Sequence, residues 1–244
     1  MTLIKSKLMM NEDNTGNVDK SIVEVSDDEN AVEFLQNEVE QCKKKLVELT
    51  DDASLFDKAV IKLDMANALL GLNKNIEAWN EAKEAFNIFI DNELWSQAVE
   101  ACDILYQTDQ PASITALAHG VWLSIAYPID PEHSIVMLNY IIEETPDDSD
   151  GAAVAAATAH YIVGVRADDD KHDSLAFLTT NMIAKVAQRH SNVNSQDKLE
   201  FWLEKMELQD PAKFLPRMGT VVDAIANGGW WFDRDELRSK LPMN

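Results

Sequence analysis

An all-α fold follows from three features of this 244-residue sequence. Glycine and proline are scarce, at eight and seven residues, which disfavours a turn-rich β architecture. Apolar residues recur three and four apart through most of the chain, the period of an amphipathic helix. Short polar breaks carrying Asp, Asn, Gly or Pro separate these stretches at intervals suited to helical hairpins. The predicted architecture is a stack of antiparallel helical hairpins, wound as a right-handed array or folded as a compact bundle, behind a disordered N-terminal tail.

Taken in order, residues 1–30 are polar and acidic, with Gly16 and Asp27-Asp28-Glu29, and are expected to form the tail. Residues 31–244 are expected to form a single helical domain, with hairpins over about 54–165 and a helical cap over 171–244. From Val32 the residues Leu35, Val39, Cys42, Leu46 and Leu49 keep coiled-coil spacing, either to pack on a neighbouring helix or to pair with a second copy through residues 31–50. The cap-forming run Thr50 to Ser54 predicts a new helix over 54–72. Helices over 75–91, 93–107, 111–127, 131–145 and 150–165 follow. Their breaks are Gly71 to Asn75, Asp91-Asn92, Asp109 to Pro111, Pro128 to Pro131 and Pro146 to Gly151. Pro131 suits a first helical turn, where its missing N–H costs nothing. The run Gly151 to His160 is almost all small, so this helix should cross the centre of the fold beside Trp122, Met137 and Tyr140. Further helices are expected over 173–190, 195–207 and 220–227, with Pro211 to Gly219 as a break. Asp233 should cap a last short helix that Pro242 stops.

Paired as hairpins, the first helices start near 54, 93, 131 and 171, a repeat of roughly 38 to 40 residues, in the range of stacked helical repeats. Met65, Ala66 and Leu69, followed by Ala78, Ala82 and Ala85, resemble the interlocking pattern of a tetratricopeptide repeat, and Ala98, Cys102 and Leu105 repeat its second half. Ala98 follows Ala78 by 20 residues rather than 34, so the resemblance covers one helix pair of about 35 residues. It implies a protein-binding scaffold without chemistry of its own. The segment Tyr127-Pro128-Ile129-Asp130-Pro131-Glu132-His133 is similar to the acidic, proline and histidine signature of redox-enzyme maturation chaperones, with its order and spacing altered. That likeness implies the chaperone class. The same residues also read as ordinary helix-start chemistry.

Charge narrows the partners. With 43 acidic and 21 basic residues the formal charge is −22, which opposes phosphate binding and excludes nucleic acid as the expected partner. No apolar stretch reaches the length of a membrane span, so no membrane association is expected. Between Lys83 and Arg166 there is no Lys or Arg against 13 acidic residues. A surface of that composition suits a basic partner or serves solubility.

Catalytic signatures are lacking in the sequence. It contains no glycine-rich phosphate loop, no nucleophile elbow and no pair of histidines at helical ligand spacing. His160 reads better as a hydrogen-bonded structural residue than as an acid or base. The acidic turns 147–151 and 168–173 depart from the calcium-loop rule and read as helix starts. No catalytic residue, cofactor or metal is therefore expected.

Trp230-Trp231-Phe232 follows a diglycine, and adjacent tryptophans cannot share one helical face, so at least one is a candidate anchor. The alternative is that the chain turns there and both rings cover the last hairpin. The expected function is a non-enzymatic, cytoplasmic adaptor or assembly chaperone. Its candidate partner-binding residues are Glu100, Asp103, Asp130, Glu132, Glu143, Glu144, Trp230 and Trp231. An enzyme, or an accessory subunit with a carboxylate and histidine pocket between helices, is the second expectation.

Overall fold

The computed structural model describes residues 20–50 and 54–240, with side chains from Glu29 onward. These residues form helices and contain no strand. α1 spans Lys20–Glu48, α2 Leu55–Gly71, α3 Asn75–Asp91, α4 Trp95–Gln107, α5 Ser113–Ala126 and α6 Pro131–Glu144. α7 spans Asp150–Arg166, α8 Asp169–Ser191, α9 Gln196–Lys205, α10 Pro211–Ala226 and α11 Arg234–Ser239. Each helix from α1 to α8 packs on the next, so the stacked antiparallel hairpins expected from the breaks are present. The helices α2, α4, α6 and α8 start 36 to 40 residues apart. Residues 1–19, to which most of the predicted tail belongs, lie outside the described residues, as do residues 51–53 and Pro242.

Two layers result. Within the even layer α2 touches α4, α4 touches α6 and α6 touches α8, while α5 and α7 of the odd layer are both covered by α10. One buried cluster runs from Ala59 to Leu237 and includes Phe86, Phe89, Leu117 and Leu138. A smaller one joins Val39 and Cys42 of α1 to Met65, Ala68 and Leu69 of α2 and Ala78 of α3. The middle of the coiled-coil seam of residues 31–50, Val39 and Cys42, is buried against α2 and α3, Leu35 and Leu46 are partly covered, and Val32 stays exposed.

Tight turns keep the hairpins close without glycine. Asn73, Glu93 and Asp109 take left-handed φ values of 57°, 59° and 53° after α2, α3 and α4. After α2, the Lys74 N–H reaches back to Leu69 O at 2.9 Å and the Asn73 N–H to Leu70 O at 2.9 Å, and after α3 the Leu94 N–H bonds Phe89 O at 2.9 Å. These bonds satisfy carbonyls that a helix end otherwise leaves orphaned. The alanine-rich α7 is buried along Ala152 to Ala159 between α6, α8 and α10. Of its expected neighbours, Trp122 turns instead to Trp230 and Phe232, and Tyr140 to Tyr106.

Two boundaries differ from expectation. α1 begins at Lys20, within the predicted tail. No Gly or Pro stands between Lys20 and Val32, so a helix nucleated where α1 packs on α2 extends N-terminally through these residues without meeting a breaker. α10 runs unbroken from Pro211 through Pro216 to Ala226 instead of starting at 220. A proline inside a helix costs about 3 kcal/mol. The stripe Phe214, Met218, Val222 and Ala226 is buried against α5 and α7 and outweighs that cost.

The absence of cations between residues 84 and 165 is compensated from outside the segment. Arg166 donates from Nη1 to Ser124 O at 2.6 Å and from Nη2 to Ile125 O at 2.8 Å, closing the C-terminal end of α5. Arg189 does the same for α6, donating to Ile142 O at 2.8 Å. A guanidinium at a helix C-terminus meets both the free carbonyls and the negative end of the dipole. Arg217 and His190 face Asp150, Lys171 bridges Glu132 and Asp130, and Lys240 meets Glu93.

Candidate functional site

The helices α4 and α6 contain no Lys or Arg, and their outer surface carries acidic side chains. Apolar stripes on both helices face the core, which leaves Glu100, Asp103, Tyr106 and Gln107 of α4 beside His133, Tyr140, Glu143 and Glu144 of α6. The Tyr106 and Tyr140 rings lie 4.5 Å apart at 43°. Tyr106 donates its hydroxyl to Glu144 Oε1 at 2.5 Å, and Tyr140 hydrogen-bonds Asp103. Gln107 donates to Asp103 at 2.8 Å and Asn139 to Glu143 at 2.8 Å. Burial, followed by these carboxylates, raises both phenol pKa values, so the rings stay neutral donors.

The C-terminal ends of the two helices open into a cleft of about 390 Å³, lined by Tyr106, Asp109, Ser113, Tyr140, Glu143 and Glu144 among others, with no Lys or Arg in its wall. At the other end Glu100 is half-buried, and burial raises its pKa while the neighbouring His133 opposes the shift. Nδ1 of His133 is buried without a hydrogen-bond partner.

Four of the eight residues expected to bind a partner therefore come together: Glu100, Asp103, Glu143 and Glu144. Asp130 and Glu132 do not join them. Asp130 caps α6 through the Glu132 N–H at 2.8 Å, and Lys171 holds both carboxylates, 2.9 Å from Glu132 and 3.9 Å from Asp130. Pro131 is buried in the first turn of α6. Tyr127 is buried, stacked on Trp95 at 4.0 Å and bonded to Leu237 O at 3.0 Å. The residues that resemble the maturation-chaperone signature thus build a helix junction here.

Trp230 and Trp231 lie on the opposite layer and are half-buried rather than exposed. They cover neither an open end nor the last hairpin, because the chain after α10 returns across α3 and α5. Trp231 packs on His119 at 4.4 Å, Phe86 at 5.4 Å and Trp79 at 5.9 Å, while Trp230 contacts Trp122 and His119. Lys83 sits 3.9 Å over the Trp231 ring and Arg234 3.9 Å over the Trp230 ring. Burial among these rings lowers the Lys83 pKa.

His160 of α7 meets Thr179 Oγ1 of α8 at 2.9 Å. In the acidic turns, Ser149 accepts the Gly151 N–H and Asp168 precedes α8 as its cap residue. Among the described residues no three His, Cys, Asp or Glu side chains converge on a site that could hold a metal.

Sequence reasoning missed Tyr106 and Tyr140, which convert scattered carboxylates into a cleft. Their spacing of 34 residues, at matching places on successive even helices, was the available signal. His119 was missed for a different reason: its partner, Trp231, is 112 residues away. Comparison of the chain with known protein families, curated proteins and solved structures found no match.

Proposed function

We propose that this protein is a non-enzymatic adaptor or assembly chaperone of tetratricopeptide-like construction, which holds a basic segment of another protein against the α4 and α6 surface. The observation that carries the reading is the cleft lined by Tyr106, Tyr140, Asp109, Glu143 and Glu144 with no Lys or Arg in its wall, beside which Asp103 is hydrogen-bonded to Tyr140. Carboxylates at this density attract a Lys or Arg side chain over several ångströms, and the tyrosine faces offer it a cation–π surface once it arrives. The neighbouring cations are already engaged: Arg189 on the α6 carbonyls and Lys171 on Glu132.

The test is an affinity capture from the native host at 50 mM NaCl, eluted by a gradient to 500 mM. Basic proteins should elute together, and the triple variant D103N/E143Q/E144Q should bind them roughly tenfold more weakly, at about 0.5 kcal/mol per carboxylate. Capture that survives both 500 mM salt and the triple variant refutes the reading.

A second reading, a carboxylate and histidine pocket of an enzyme or its accessory subunit, draws support from Glu100 and His133, with the Nδ1 of His133 buried and unpartnered. A small-molecule substrate or cofactor that co-purifies with the wild type and is lost from E100Q and H133N would favour it.

A further inference from the structure

The segment after α10 folds back onto α3 and α5. It leaves the helix through Asn227, Gly228 and Gly229, where Asn227 and Gly228 take left-handed φ values of 46° and 76°. Beyond this hinge, residues 230–240 cross α3 and α5 and attach at four places. Trp231 donates its backbone N–H to His119 Nε2 at 2.9 Å. Leu237 is buried and its carbonyl accepts the Tyr127 hydroxyl, Lys240 meets Glu93 at 3.1 Å, and Arg234 meets Asp223 at 2.5 Å.

His119 is the centre of this attachment. It is 0 % exposed, and both ring nitrogens are engaged, Nδ1 with Thr115 O and Nε2 with the Trp231 N–H. An accepting Nε2 together with a carbonyl at Nδ1 fixes one neutral tautomer, with the proton on Nδ1. The charged groups facing the ring are both cations, Lys83 from α3 and Arg234 from the segment itself, the latter paired with Asp223 of α10. From α4 and α6, Cys102 and Met137 press on the adjoining Gly120, and burial keeps the Cys102 thiol protonated.

We propose that residues 230–240 are an acid-released latch: protonating His119 at Nε2 turns the acceptor of the Trp231 N–H into a donor, adds a third cation beside Lys83 and Arg234, and lifts the segment about Gly228-Gly229. Release strips the cover from Trp79, Phe86 and Trp122 and opens a strip of aromatic surface on the odd layer.

The size of the effect follows from linkage. Burial, with the two cations, holds the docked imidazole at about 4, whereas a solvent-exposed imidazole titrates near 6.5. Between pH 8 and pH 5 the released form therefore becomes about 30-fold more populated.

Hydrogen exchange of the full-length protein, corrected for intrinsic rates, tests this. Backbone amides of residues 230–240 should open about 30-fold more often at pH 5 than at pH 8, with α4 and α6 unchanged, and H119Q, which cannot take up a proton, should abolish the difference. An equal rise in H119Q, a flat response in the wild type, or α4 and α6 opening in parallel would overturn the latch. If H119Q fails to fold, a nitrogen-15 titration of the wild-type imidazoles decides. His119 titrating near 4 with Nε2 unprotonated at pH 7 supports the latch, and titration near 6.5 or the opposite tautomer overturns it.

Discussion

The backbone N–H of Trp231 donates to Nε2 of His119 across 112 residues of chain, at 2.9 Å. This bond joins the C-terminal segment to the middle of α5 inside a ring of six aromatics: Trp79, Phe86, Trp122, Trp230, Trp231 and Phe232. Replacing His119 by Phe preserves the ring packing but leaves the half-buried N–H of Trp231 without its acceptor, while Thr115 O keeps its bond within α5. The expected loss is about 1–3 kcal/mol in urea unfolding at pH 7. A midpoint unchanged from wild type would mean that the hydrogen bond adds nothing to the aromatic packing.

The same histidine gives stability a pH dependence of fixed sign. Its folded-state pKa is depressed to about 4 by burial, so the unfolded chain takes up the proton first. The contribution is complete above about pH 6.5 and is lost progressively as pH falls towards 4, to a maximum of about 3 kcal/mol. Urea midpoints from pH 8 to 4.5 should show this acid limb in the wild type and a smaller one in H119F.

Gly120 sits where α5 packs tightly on α4 and α6. A Cβ there would stand 2.3 Å from Met137 Cε and 2.9 Å from Cys102 Cβ. Met137 can swing aside, but Cys102 Cβ is fixed to the backbone of α4, so the helices must separate. G120A should cost about 1–3 kcal/mol despite the higher helix propensity of alanine. A thermal melt at or above that of the wild type would contradict this.

Arg166 closes α5 with two hydrogen bonds and has no carboxylate partner among the described ion pairs. R166M should therefore destabilise by about 1.5–3 kcal/mol, the range for hydrogen bonds to a charged group. The bonds run to half-buried carbonyls rather than across open solvent, so the loss should differ little between 50 and 500 mM NaCl. R166K, which keeps the charge without the planar fork, should recover only part of it.

Asp109 holds a φ of 53° in the turn between α4 and α5. Glycine adopts that conformation without steric cost, so D109G should raise stability by about 0.5 kcal/mol, read as a higher urea midpoint. It also removes one charge from the cleft, and capture of a basic partner should weaken slightly in the same variant.

The helices from α2 to α7 were legible because each hairpin states its own boundaries. Ser54, Asp130 and Ser149 accept hydrogen bonds from the first turns that follow them, as residues of these types do wherever a helix starts. Pro216 misled for the opposite reason: its local preference is strong, and the packing of Phe214 and Met218 that overrides it lies outside the window that reveals a helix. Glu100, Asp103, Glu143 and Glu144 were legible as acidic, yet nothing local separated them from Asp130 and Glu132, which Lys171 neutralises from a later helix.

Sequence by itself determined the helical class, the hairpin breaks and the cation-free middle of the chain, since each depends on residue type and spacing within one or two turns. Tertiary structure alone decided what those charges face. It sent Arg166, Arg189 and Lys171 back onto α5 and α6, left Asp103, Glu143 and Glu144 around two tyrosines, and folded Trp230 and Trp231 onto His119 instead of outward. Contacts 34 to 112 residues apart made those choices. Periodicity marks which face of a helix is apolar, but only the packed chain determines which neighbour that face meets.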